Sequence, residues 1–120
     1  MSTASQVLTG LVAALHVYFL VLEMFLWTTP FGRKTFARSA EEMEQTKVLA
    51  GNQGLYNGFL AAGLVWSLVD ATVAYPVRMF FLVCVVVAGV YGGATASKKI
   101  YGVQALPGLL ALVVTYLAAH

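Results

Sequence analysis

The sequence predicts an all-α integral membrane protein, an antiparallel bundle of four transmembrane helices with both termini outside. Three observations carry this expectation. The chain of 120 residues is 60% hydrophobic and 10% charged, whereas soluble domains carry about 25% charged residues. Its apolar residues gather into four runs of about 20, each long enough to cross hydrocarbon about 30 Å thick. Its basic residues concentrate in two alternate loops, as the positive-inside rule requires of an even number of crossings. Four spans with short connections leave no room for a soluble domain, so residues 1–120 are read as one transmembrane domain.

The first span covers about residues 7–28. No Lys or Arg occurs in Met1 to Gln6, so a signal-peptide n-region is missing and the segment is read as a retained helix. Pro30 and Gly32 are expected to stop it. Ser39-Ala-Glu-Glu42 then fits a capping box, with Ser39 as N-cap and Glu42 reaching back. Glu41, Glu42 and Glu44 suit the positive end of a helix dipole. The second helix therefore begins near Ala40, below the membrane surface, and runs about 30 residues or about 45 Å. Its membrane part is 47–69, with Asp70 as the outer marker. The charged extension is either a solvated amphipathic turn or a lip over a cytoplasmic opening.

The third span, 76–96, is introduced by Tyr75-Pro76. It carries Ala88, Gly89, Gly92, Gly93 and Ala96, small residues whose spacing lets helices approach closely. That contact is expected within the subunit or between subunits. A homo-oligomer is expected from this glycine face and the small size of the chain. The fourth span, 100–119, contains Pro107-Gly108, where a kink would free a carbonyl that needs another partner.

Orientation follows from the loops. Arg33, Lys34, Arg38 and Lys47 lie between the first and second spans, and Lys98 and Lys99 between the third and fourth. The opposite side has Arg78 alone. This places both basic loops in the cytoplasm, the termini outside, and the protein in the cell membrane as a multi-pass chain. A net charge of +2 is too weak for nucleic-acid binding. The single cysteine, Cys84, excludes an intrachain disulfide and reads as a small apolar core or lipid-facing residue. Neither CxxC nor HExxH occurs, so no metal site is expected.

Polar groups inside hydrocarbon are costly and each needs an account. His16 and Glu23 are seven residues apart and share a face of the first helix. The second span holds Asn52, Gln53, Tyr56 and Asn57, the third Tyr91 and the fourth Gln104. Counted from the cytoplasmic ends of the spans, Glu23, Asn52, Gln53, Tyr91 and Gln104 fall at one depth, about five residues or 7–8 Å in. His16, Tyr56 and Asn57 continue the column inward. A carboxylate in such a place is protonated, hydrogen-bonded to amides or His16, or waiting for a cationic ligand. The layer is therefore either polar glue between helices or a site open to the cytoplasm.

The string His16-Val-Tyr-Phe-Leu-Val-Leu-Glu23-Met-Phe-Leu-Trp27, with Asn52-Gln53-Gly54-Leu55-Tyr56-Asn57, resembles a family of small bacterial membrane proteins, domain-of-unknown-function family 1304. That resemblance covers nearly the whole chain and implies a class without a chemistry. More distantly, the span arrangement resembles the MAPEG group of membrane enzymes, trimers whose long second helix carries Asn-x-x-Glu-Asn. Gln53-Gly-Leu-Tyr56-Asn57 has that spacing with two members changed, and the arginines that hold glutathione are not evident in the spans. Glutathione is the cofactor this resemblance implies. The small multidrug resistance group, four-helix dimers with one essential glutamate in the first span, is a further comparison. It implies proton-coupled export of a hydrophobic cation through Glu23.

The sequence thus points to a membrane-embedded site for a lipophilic small molecule entered from the cytoplasm. Glu23 and His16 are its catalytic candidates. Asn52, Gln53, Tyr56, Asn57 and Gln104 are its ligand-binding candidates. The partners expected are the lipid bilayer, that molecule and further copies of the chain. An exporter and an accessory membrane subunit are the rival readings.

Overall fold

The structure, a computed structural model, describes residues 2–120. It contains helices α1 (Thr3–Met24), α2 (Pro30–Phe36), α3 (Ala40–Val69), α4 (Ala74–Thr95) and α5 (Leu106–Ala119), with a widened π-helical turn, Tyr101–Ala105, leading into α5. No strand occurs among the described residues. Three segments, Thr3–Met24, Ala74–Thr95 and Tyr101–Ala119, are long and apolar enough to cross a membrane. They carry large apolar side chains outward, among them Phe80, Val87 and Leu117, as contact with lipid requires. The 30-residue α3 is not one of the three. Its first turns carry Glu41, Glu42, Glu44 and Lys47, and its middle carries Asn52, Gln53 and Asn57.

Several boundaries differ from expectation. α1 starts and ends about four residues early, so Glu23 lies in its last turn and Trp27 beyond its end. Pro30 does not merely stop a helix; it opens one. The Thr29 hydroxyl accepts the Gly32 N–H at 3.3 Å and caps α2, whose first turn tolerates proline because its N–H groups have no helical partner. Ala37 closes α2 with φ 53°, the left-handed position usually given to glycine. The start of α3 is as the capping box predicts. Glu42 N–H donates to Ser39 Oγ at 3.2 Å, and Ser39 N–H donates to Glu42 Oε1 at 3.3 Å.

The chain divides into two compact units, Met1–Leu15 with Leu60–His120, and His16–Phe59. The core of the first joins Val12, Ala13, Leu64, Leu82, Val85 and Ala111. α4 presents one face to it, Arg78, Leu82, Val85, Gly89 and Gly93, at helical spacing. The α4 glycines are used inside the chain. A Cβ on Gly89 would lie 2.7 Å from the Ala105 nitrogen, and one on Gly93 would lie 2.4 Å from the Tyr101 ring. Pro107 removes a backbone N–H that the preceding turn would use. That turn widens, and Leu106 N–H bonds the Tyr101 carbonyl instead.

In the second unit, Trp27 donates its indole N–H to Thr46 Oγ1 at 3.0 Å and stacks at a tilt on Phe36, with ring centroids 4.7 Å apart. Met43 is fully buried. These contacts order the segment between α1 and α3.

Candidate functional site

Within the second unit, α1 and α3 approach closely because α3 places Gly54 and Gly58 one turn apart. A Cβ at Gly54 would stand 2.7 Å from Met24 Cγ and 3.1 Å from Glu23 Cβ; one at Gly58 would stand 2.6 Å from Leu20 Cδ1. Small residues at this spacing permit such an approach. It brings the amide of Asn57 to the carboxyl group of Glu23, where Asn57 Nδ2 donates to Glu23 Oε1 at 2.5 Å. Asn57 is buried and Glu23 half-buried.

Glu23 also lines a cavity of about 310 Å³, together with Phe25, Trp27, Thr28, Lys47 and Val48 among others. The lining combines a carboxyl group, an indole and apolar side chains. That composition suits a molecule with an apolar body and one polar or cationic group. Lys47 is ion-paired with Glu44. Glutathione carries two carboxylates, and this lining offers them one lysine already held by Glu44, beside Glu23, which would repel them. The lining therefore does not fit glutathione.

The other predicted site residues separate. His16 is fully buried, with its ring edge-on to Phe19 at 5.2 Å. It lies two turns before Glu23 on α1, about 10 Å along the axis. A proton passing between them needs an intermediate carrier. Asn52, Gln53 and Tyr56 are exposed on α3, so Asn57 is the member of that group which meets Glu23. Gln104, in the first unit, donates its amide to the Val85 carbonyl at 3.1 Å.

Sequence reading missed a second polar centre, in the first unit. Arg78 is 1% exposed. It donates Nε to Ser67 Oγ at 3.1 Å, Nη2 to the Ser67 carbonyl at 2.8 Å and Nη1 to Ser5 Oγ at 3.0 Å. Ser5 Oγ, which accepts from Arg78, also lies 2.5 Å from Thr115 Oγ1, in a hydrogen bond that either hydroxyl can donate. Ser67 lies in the last turn of α3, where carbonyls lack helical donors and the dipole is negative. Among the described residues, every partner of the guanidinium is neutral. The available signal is an arginine next to an apolar run beginning at Val77, which a count of loop charges places on the outer side.

A family model described as a protein of unknown function, DUF1304, matches residues 10–116. The chain belongs to the DUF1304 family. It is also 29% identical over 118 residues to the uncharacterised protein YpaA of Lactococcus lactis, covering 97% of this chain and 99% of that one. No solved structure matches it. The DUF1304 assignment, like the YpaA likeness, brings no chemistry with it.

Proposed function

We propose that this protein crosses the membrane four times, α3 included, and binds or transforms a lipophilic small molecule in the cavity beside Glu23. Residues 47–69 of α3 supply the additional crossing: no charged residue occurs between Lys47 and Asp70. Both termini then face outside, and the loop containing α2 is cytoplasmic, with Arg33, Lys34 and Arg38 in it. Six basic residues fall on the cytoplasmic side. Arg78 adds nothing to the opposite count, because its charge is buried rather than presented at the surface.

The observation that carries the reading is a carboxyl group bonded to a buried amide at the wall of a cavity that Met24, Phe25, Trp27 and Val48 also line, with Thr28 and Lys47 beside them. Asn57 orients Glu23 and leaves the second carboxyl oxygen for a ligand. Glu23 can accept a hydrogen bond, neutralise a cationic group or exchange a proton. Trp27 and Val48 give an apolar body its contact surface. Whether the step is binding or catalysis depends on the molecule that occupies it.

The Glu23–Asn57 bond also favours a second reading, polar glue between α1 and α3 with no ligand. Native mass spectrometry in mild detergent separates the two. A small-molecule adduct on the wild type that Glu23→Gln loses, at unchanged thermal stability, supports the site. A wild type without any adduct, together with a destabilised Asn57→Leu, supports the glue.

A further inference from the structure

The polar residues of α3 divide between two faces. Asn57 turns inward, whereas Asn52, Gln53 and Tyr56 are exposed, Tyr56 to 60%. Val48, Leu55 and Phe59 are exposed beside them, at 70%, 43% and 55%. At about 100° per residue, Val48, Asn52, Leu55, Tyr56 and Phe59 fall within one arc about 100° wide, with Asn52 near its middle. Among the described residues, the side chains of Asn52 and Gln53 form no hydrogen bond.

We infer that this face of α3 docks against the same face of a second copy of the chain, with the two Asn52 amides opposed. The inference rests on the reading that α3 lies in the bilayer. There, an amide turned to lipid has lost water and gained nothing in exchange. A carboxamide carries both donors and acceptors, so a second carboxamide satisfies it. Copies inserted by the same loop charges share direction and depth, which sets like residues level across a shared axis. A soluble partner fits this face poorly, because it holds no charge between Lys47 and Phe59. A Cβ on Gly51, at the edge of the face, would meet nothing within 4 Å, which leaves room for a close backbone approach. The glycine face of α4 does not compete for this role. Gly89 and Gly93 are filled by Ala105 and Tyr101 of the same chain.

The test is oxidative cross-linking in native membranes, in a Cys84→Ala background. Asn52→Cys is compared with Leu110→Cys, an exposed α5 position that reports random collision. We expect the Asn52→Cys dimer to form at least tenfold faster than the Leu110→Cys dimer. We also expect Asn52→Leu to lower the multimer fraction seen by native mass spectrometry. Should Asn52→Cys fail to insert, Phe59→Cys on the same face replaces it. Equal cross-linking rates overturn the docking face. A membrane-impermeant maleimide distinguishes that failure from failure of the underlying reading. If it labels the α3 cysteine as fast as Arg38→Cys in the charged loop, α3 lies in water and the bilayer reading falls too. If the cysteine is protected but does not cross-link, the docking face alone is wrong.

Discussion

Arg78 holds Ser67 by two groups at once, its hydroxyl at 3.1 Å and its carbonyl at 2.8 Å. The same guanidinium reaches Ser5, and Ser5 reaches Thr115. One side chain of α4 thereby ties the last turn of α3 to α1, and through Ser5 to α5. Lysine lacks this fork and serves as a single point charge. Among the described residues no carboxylate pairs with this buried charge, a costly arrangement that the three hydrogen bonds and the negative end of α3 offset.

Arg78→Ala should therefore lower stability by about 2–4 kcal/mol, because it leaves the Ser67 carbonyl and the Ser5 hydroxyl without their donor and opens a cavity. Arg78→Met should cost less, since it fills the space and removes the buried charge. Thermal unfolding in a fixed detergent measures both. Arg78→Lys as stable as wild type would show that the fork is dispensable.

Glu23→Gln keeps an acceptor for Asn57 Nδ2, so the α1–α3 contact should survive with a loss of about 1 kcal/mol or less. Asn57→Leu leaves the Glu23 carboxyl group without that donor and should cost about 1–3 kcal/mol. A double-mutant cycle over the two positions should give a coupling energy clearly above zero. Strict additivity would mean that the bond contributes nothing to stability.

Gly54 and Gly51 make a matched comparison three residues apart on α3. Gly54→Ala pushes a methyl toward Met24, Glu23 and the Leu20 carbonyl, the last 3.2 Å away and fixed in the backbone. It should destabilise by about 1–3 kcal/mol, as overpacking does. Gly51→Ala enters open space and should leave the monomer unchanged, or stabilise it by up to about 1 kcal/mol through helix propensity. Equal effects at the two positions would contradict the close approach of α1 and α3.

The capping box at the start of α3 is pH-sensitive. The Ser39 backbone N–H and then its hydroxyl hold the Glu42 carboxyl group below its ordinary value, with Arg38 adding a weaker pull. A pKa depressed by folding means that the stabilisation is complete above the ordinary carboxylate value and is lost as pH falls through the depressed one. Hydrogen-exchange protection in the first turn of α3 should fall across that acid range. Glu42→Gln should keep the box, since glutamine also reaches back, and remove the pH dependence. Glu42→Ala should lose protection at every pH. A Glu42→Gln profile that still follows pH would assign the effect to another group.

Local chemistry made some elements readable in advance. Ser39 and Glu42 fix the start of α3 at Ala40 because a capping box needs four consecutive residues and nothing else. The apolar runs behind α1, α4 and α5 were equally plain. Pro30 is ambiguous in the sequence because proline both ends and begins helices; the Thr29 side chain decides which. Asn52, Gln53, Tyr56 and Asn57 form one group in the sequence because period alone leaves a helix free to rotate about its axis. Gly54 and Gly58 fix that rotation by setting the face that meets α1, and they turn Asn57 inward and Asn52 outward.

By itself the sequence determined the all-helical class, the apolar segments of α1, α4 and α5, the start of α3 and the residues able to carry charge or a proton. Those properties follow from hydropathy, capping and side-chain chemistry, all of which act over a few neighbouring residues. Tertiary structure decided which of the polar residues meet. The Glu23–Asn57 bond spans 34 positions and the Arg78–Ser5 bond 73. Partners so far apart are brought together by the packing of helices, which Gly54 and Gly58 set for α1 and α3, and that packing has no counterpart in the spacing of the polar residues themselves.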